Sequence, residues 1–328
     1  MLLRVKKNTI HAIFVTTRDH RRHLKGLVDA ATAAGTPVHV AHYWELMRLT
    51  RLPRAVYIFC DLDRLSPAWL ELAVRMHDRV RDAGLPALND PRKFLPRAGL
   101  IRKLRGAGLI DYTCWLPMLD EWPDRYPVFL RTMSAHRGVF GGLIEDEAAA
   151  RETLTQALAA GHVLSDLGFI QFQPTERDAN GATRKYAAFR LGDRIIPAPP
   201  VSEQNWLAKH GSVAAATDDA YARDLADFDL NPFEAPIRAA FDVAQMEFGR
   251  ADYGLHNGRV QVFEINTNPS IGLKLGHPNA DRNALIARHG TALVAALQAL
   301  VPDDPGALVE MRRIPKLRSP FLRPPRIP

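Results

Sequence analysis

The 328-residue sequence holds two cysteines, Cys60 and Cys114, and no C-x-x-C pair. A disulfide framework and a cysteine zinc knuckle are therefore excluded, and a reducing cytoplasm is the expected compartment. Both common glycine-rich nucleotide loops are missing: there is no G-x-G-x-x-G and no G-x-x-x-x-G-K-[ST]. Any nucleotide must be held by another architecture. Twelve histidines are present, yet none forms H-E-x-x-H, and no G-x-S-x-G elbow occurs. Long apolar runs are also missing. The stretch TALVAALQALV near the C-terminus is too short to span a bilayer and has the period of a helix packed on one face. The start, MLLRVKKNTIHAIFV, has basic residues and a brief apolar run without a small-residue cleavage site, so no secretory leader is expected.

What is present suits a soluble globular protein of two or three domains: 47% of residues are apolar and 24% charged. The net charge of +7 is unevenly placed, because Met311 to Pro328 carry six Lys/Arg and no acid. Without that Pro-rich tail the body is nearly neutral. The tail reads as solvated or surface-docked, with a partner-binding or nucleic-acid-binding arm as the alternative, and a nucleic-acid face on the body is not expected.

The first 88 residues alternate strand and helix. TIHAIFVT, PVHVAHY and AVYIFCDL read as strands, and LSPAWLELAVRMHDRVRDAG as a helix with Ser66 as N-cap and Pro67 in first position. The βαβ order predicts a small parallel sheet with covering helices. From Pro91 the pattern shifts: a short basic helix, FLPRAGLIRKLRGAG; a bulky strand, YPVFLRTM; a glycine-containing loop, SAHRGVFGG; and an amphipathic helix, EDEAAARETLTQALAAG. GFIQFQPT reads as a strand and RKYAAFRLGDRIIPA as a hairpin turning at Gly-Asp. NPFEAPIRAAFDVAQMEFG reads as a helix capped by Asn231 and stopping at Gly249. His20 and His23, in DHRRH, read as a solvated helix start. Cys60 reads as structural, since Asp61 beside it would raise a thiol pKa.

RADYGLHNGRVQVFEINTNPS, residues 250–270, reads as strand, turn and strand. A two-residue Asn-Gly loop would set Asp252 opposite Phe263, away from Glu264. A three-residue loop, His256-Asn257-Gly258, sets Arg250 across from Glu264 and brings Asp252 to the same face, and Gly258 suits its last, left-handed position. The expectation is that three-residue register, with Arg250, Asp252, Glu264 and Asn266 on one face. Two uses of that face remain open. One is an internal Arg250–Glu264 salt bridge. The other is a magnesium site, since Mg²⁺ takes hard oxygen ligands from one or two carboxylates together with phosphate oxygens.

On these residues the chain resembles the ATP-grasp superfamily, in particular the D-alanine–D-alanine ligase-like segment in which Arg-x-Asp is followed, after a hairpin, by Glu-x-Asn-x-x-Pro. The resemblance implies that Asp252, Glu264 and Asn266 hold two Mg²⁺ ions (Mn²⁺ being an alternative) and that Arg250 stabilises the reacting oxygens. It extends over about residues 89–301. NDP at 89–91 and GAGL at 106–109 flank a helix whose early family lysine is Arg97 here, and the strand PVFLR ends in Arg131 where the family has a second lysine. SAHRGVFGG corresponds to the cover over the phosphates, and FIQFQP to the adenine hinge around Gln171. Lys185 is a further ATP contact, and Arg190, Ser270 and Lys274 are candidate substrate contacts. Lys274 and His277 could line the acceptor site or lie in a plain loop. Two lysines have become arginines, which are bulkier and bidentate, and Ser270 replaces a family glycine.

The resemblance implies an α/β chain, α+β in its ATP-grasp part: an N-terminal domain (1–88), a central subdomain (89–170), a C-terminal subdomain with the metal site (171–301) and the tail (302–328). It implies an ATP- and Mg-dependent ligase joining a small-molecule or peptide carboxylate to an amine, possible as a homodimer, without membrane attachment. A kinase that stops at phosphoryl transfer, and a degenerate binding module that uses the basic tail, are the alternatives.

Overall fold

A computed structural model describes residues 10–134, 138–178, 180–206 and 216–311. The first unit is β1 (Ala12–Thr16), α1 (Lys25–Ala33), β2 (Val38–His42), α2 (Tyr43–Met47), β3 (Arg51–Pro53), β4 (Val56–Phe59), α3 (Pro67–Asp82) and β5 (Ala87–Leu88). Strands β2-β1-β4-β5 form a parallel sheet in that order. Its central strands, AIFVT and VYIF, are buried throughout, because a parallel sheet is covered on both faces and reads as unbroken apolar sequence. Ser66 caps α3 as expected, its hydroxyl accepting from Trp69 N.

The second unit holds α4 (Arg97–Gly106), β6 (Cys114–Trp115), β7 (Val128–Thr132), β8 (Val139–Ile144), α5 (Glu147–Ala159) and β9 (Leu167–Gln171). Its antiparallel sheet runs β6-β9-β7-β8 and packs against α5 around a core of its own, which includes Val128, Leu130, Leu154 and Phe169. The expected loop SAHRGVFGG is shorter than its composition suggested: Val139–Ile144 is a strand that contains Gly141 and Gly142, and residues 135–137 lie outside the described residues.

The third unit is β10 (Thr183–Leu191), β11 (Arg194–Glu203), α6 (Asp218–Leu230), α7 (Glu234–Ala244), β12 (Phe248–His256), β13 (Arg259–Asn266) and α8 (Ala280–Gln298). Its sheet order is β11-β10-β12-β13, all antiparallel. Asn231 does not cap α7. It ends α6 in the left-handed conformation, and α7 stops at Ala244, five residues before the expected Gly249. Gln245 turns left-handed there, and Phe248 and Gly249 already belong to β12. The segment expected to begin the tail is tied down as far as Met311: β14 (Leu308–Glu310) pairs antiparallel with β3, and Met311 is buried. The basic residues after it lie outside the described residues. No described helix is long and apolar enough to cross a membrane.

The first and third units share their cores. Phe14 of β1 meets Phe248 of β12 edge-on at 5.3 Å between centroids. Leu27 and Ala31 of α1 lie in one cluster with Leu293 and Leu297 of α8. Gly26 approaches the loop after β13 so closely that a Cβ there would stand 2.3 Å from the Ile271 carbonyl oxygen. The central sheet, with its separate core, faces the third sheet across a cleft.

Candidate active site

The β12–β13 hairpin positions the acids, by a different route from the expected one. The turn is the two-residue Asn257-Gly258, both residues at positive φ (50° and 72°), and His256 pairs with Arg259. Asn-Gly is the favoured sequence for such a turn, whose twist matches that of the strands. In regular continuation Asp252 would face Phe263. A bulge intervenes: Tyr253 pairs with Val262, but Asp252 pairs with Glu264 and Arg250 with Asn266. The extra residue, Phe263, is partly buried against the core with its ring 6.2 Å from Tyr112. Directly opposed residues share a face, so Arg250, Asp252, Glu264 and Asn266 lie together, as the sequence reading required.

Asp252 is 4% exposed. Arg250 grips it with two bonds, Nε to Oδ1 at 2.6 Å and Nη2 to Oδ2 at 3.0 Å, and Lys185 Nζ reaches Oδ2 at 3.3 Å. Burial works to lower the Arg250 pKa, but the charge and hydrogen bonds of Asp252, aided by Glu264, override it and raise the guanidinium above its ordinary value. Of the two uses left open for this face, the Arg250–Glu264 salt bridge does not form: Glu264 pairs with Arg97 instead, Nη2 to Oε2 at 2.7 Å. Asn266 Nδ2 donates to Glu264 Oε1 at 3.0 Å. Arg97 is the first residue of α4, where a cation opposes the helix dipole, so Glu264 compensates for it. Arg131 stands in the same field. Burial foremost, then the charge of Arg97, pushes its pKa down to about 10, while Glu264 pulls the other way. Arg131 therefore remains charged at neutral pH.

All of these side chains except Arg97, which reaches the site only through Glu264, line a cavity of about 510 Å³ between the sheets of the second and third units, within the about 300–1,000 Å³ range of small-molecule sites. Arg131 and Gln171 come from the central sheet; Lys185, Arg250, Asp252, Glu264 and Asn266 come from the third. Its lining includes the cations Arg64, Arg131, Arg184, Lys185 and Arg250 against only two carboxylates, Asp252 and Glu264, an excess that suits an anionic ligand. Two of those cations have partners outside this set: Arg184 pairs with Asp224, and Arg64 Nη1 with the buried Asp61 at 2.7 Å. Among the described residues Gln171 Oε1 is buried with no hydrogen-bond partner, as is Arg97 Nε. Trp206 lies over Phe129 and Phe172, with centroids 5.4 and 5.6 Å away, as an aromatic wall.

Other expected contacts fall elsewhere. Arg190 is five positions from Lys185 and so on the opposite face of β10. Its Nη1 pairs with Asp242 of α7 at 2.6 Å, away from the cavity. Lys274 is exposed and does not line the cavity, and His277 accepts from Asn279 N within its own loop. Ser270 does line it, its carbonyl accepting from Arg250 Nη1 at 3.3 Å. Cys60 is fully buried, and burial first, then Asp61, raises its pKa. His23, expected at a solvated helix start, is half-buried: it lines the cavity and bonds through Nδ1 to the Asn268 carbonyl at 3.1 Å. Only the folding of the first unit against the loop after β13 brings these two together. Among the described residues no three His, Cys, Asp or Glu side chains cluster as a metal site.

No protein-family model matches the chain, and no curated protein matches it in sequence. Among solved structures it is similar to the D-alanine–D-alanine ligase of Bacillus anthracis, solved with ATP: 13% identity, 89% of this chain and 97% of that one, TM-score 0.52. It is also similar to PsnB, an ATP-grasp ligase solved with a phosphomimetic variant of its minimal precursor, Mg and ADP: 11% identity, 89% and 99% covered, TM-score 0.51. A third is a RimK domain ATP-grasp protein of Sphaerobacter thermophilus: 16% identity, 89% and 99% covered, TM-score 0.50. At these identities the likeness is one of fold, and this chain's parallel sheet and antiparallel sheets are consistent with it. The chain has the ATP-grasp fold.

Proposed function

We propose that this protein is an ATP- and magnesium-dependent ligase that activates a carboxylate as an acyl phosphate and passes the acyl group to an amine. The observation that carries this reading is the bulged register that sets Asp252, Glu264 and Asn266 beside Arg250 on the wall of a cation-lined cavity. The donor set fits the ion: two carboxylates and an amide oxygen, all hard ligands, next to space for phosphates. Bound Mg²⁺ would supply charge neutralisation to the nucleotide phosphates, with Asp252, Glu264 and Asn266 as its holders.

The chain's own residues divide the remaining work. Arg131 and Lys185 hold the anionic phosphates, Arg131 with a planar fork where the family has a lysine, while Arg97 neutralises Glu264 behind them. Gln171 offers its orphaned Oε1 to a donor on the nucleotide base, beside the aromatic wall. Arg250 sits between Asp252 and the Ser270 carbonyl, and once Asp252 is engaged elsewhere its guanidinium is available to a substrate carboxylate. A carboxylate oxygen attacks the γ-phosphorus and ADP leaves; the amine then attacks the acyl carbon, phosphate leaves, and the nitrogen releases a proton to solvent. Catalysis of this kind rests on positioning and electrostatics. The acid is a small molecule or peptide carboxylate, and the protein acts in the cytoplasm.

The test measures ADP, phosphate and amide formation over a panel of acids and amines. One amide per ADP is expected, falling by on the order of 10²–10³-fold in Glu264→Gln, the usual cost of removing one charge-stabilising group. Full activity in that variant contradicts the metal assignment. ADP accompanied by a stable phosphorylated product and no amide makes the protein a kinase.

A further inference from the structure

Beyond Arg250 and Ser270 the cleft continues into a second cavity of about 180 Å³, which shares Lys185, Arg250, Asp252 and Ser270 with the first. It is far larger than the about 10–15 Å³ one water needs and smaller than a drug-sized site. One wall is α8, through Arg282, Ile286 and His289, spaced i, i+4 and i+7 and therefore on one face. Opposite lie β10 and β11, through Phe189 and Val201. Helix–sheet contacts of this kind are ordinarily filled with apolar side chains, as Leu293 and Leu297 fill the next turns of α8. A void lined by a guanidinium and an imidazole costs stability there.

Arg282 has no carboxylate within ion-pair distance among the described residues; Nη1 donates to the Pro200 carbonyl at 2.7 Å. Burial lowers its pKa, and Asp224, which raises it in compensation, is already in direct contact with Arg184. The cavity's single acid, Asp252, is likewise held by Arg250 and Lys185. Arg282 is thus a cation left without an anion. His289 is 2% exposed and bonds through Nδ1 to the Pro197 carbonyl at 2.8 Å. A carbonyl only accepts, so Nδ1 carries the proton. Burial pushes the His289 pKa down to about 4, and the neutral ring keeps Nε2 as an acceptor.

We infer that this side cavity recognises a second carboxylate on the activated acid, held by Arg282, so that the substrate is a compact dicarboxylate such as a short diacid or an acidic amino acid. This rests on the ligase reading, which puts the reacting carboxylate at Arg250. The apolar walls suit intervening methylenes, and the volume excludes a folded peptide segment.

The experiment measures binding of succinate, L-aspartate and L-glutamate, against propionate and L-alanine, to the full chain with Mg²⁺ and a non-hydrolysable ATP analogue at constant ionic strength. At least one diacid should bind tenfold or more tighter than its monoacid counterpart. Arg282→Gln should remove that preference while keeping the nucleotide-induced rise in melting temperature, and Arg282→Lys should restore part of it. Ile286→Phe, which fills the chamber without touching a charge, should also weaken the diacid. Equal binding of monoacids and diacids, or diacid binding unchanged in both Arg282→Gln and Ile286→Phe, overturns the inference. Diacid binding that depends on Arg282 in a protein giving no nucleotide response upholds the pocket and overturns the ligase reading alone.

Discussion

Asn89 and Gln171 are both amides near strand ends, and the protein treats them in opposite ways. Asn89 is fully buried. Its Nδ2 donates to the carbonyls of Phe59 and Phe248 at 3.0 and 2.8 Å, and its Oδ1 accepts from the backbone N–H of Glu247 and Phe248, both at 2.9 Å. Every capacity of the side chain is used, and the bonds join the parallel sheet to β12. Gln171 has a buried Oε1 that no described residue satisfies. Buried polar groups are almost always bonded, so a closed set marks architecture and an open one at a cavity wall marks a place for a ligand. The NDP segment, which by resemblance introduced the nucleotide-binding part, supplies in Asn89 a rivet between two units.

Three substitutions sharpen this contrast. Asn89→Ala orphans two N–H groups and two carbonyls, and should cost about 4 kcal/mol or more of stability in denaturant unfolding, given about 1–3 kcal/mol for each buried group left unpaired. Its nucleotide affinity, measured on the folded fraction, should stay within about twofold. A loss under about 1 kcal/mol would show that the rivet is dispensable. Gln171→Leu should do the reverse: stability unchanged or slightly raised, because an unsatisfied acceptor is removed, and ATP binding about tenfold weaker, or about 1.4 kcal/mol. A destabilised Gln171→Leu with normal ATP affinity would break the comparison. The smallest effect belongs to Gly258→Ala. Forcing a side chain to φ 72° at the tip of the hairpin should cost about 1 kcal/mol and leave turnover unchanged, because the register at Asp252 is fixed by the bulge rather than the turn. Lost activity there would mean that the turn sets the site.

The hairpin shows how far the sequence could be read. Alternation and the Glu-x-Asn spacing place four candidate site side chains on one face, and they are there. The route to that face was not legible. Asn-Gly carries the signal for a two-residue turn, and the extra residue needed lies in the Phe263 bulge, which depends on packing against a core that one strand does not reveal. A similar limit applies to Asn231, whose capping-box spacing is genuine but whose backbone is taken by the end of α6, a helix not anticipated. Arg190 was avoidable: strand parity alone separates it from Lys185. Contacts between units, such as His23 with the loop after β13 or Arg97 with Glu264, join residues more than 160 apart in sequence, and their pairing comes from the fold.

The most direct test of the central claim is thermal stability with ATP plus Mg²⁺, with ATP plus EDTA and with neither, in the wild type and in Glu264→Gln. At about a hundred times its dissociation constant a ligand adds roughly 2.7 kcal/mol, so the wild type should melt higher only when both ATP and Mg²⁺ are present, and the variant should lose that rise. An equal rise with EDTA, or no rise in the wild type, would contradict a magnesium–nucleotide site at Asp252, Glu264 and Asn266.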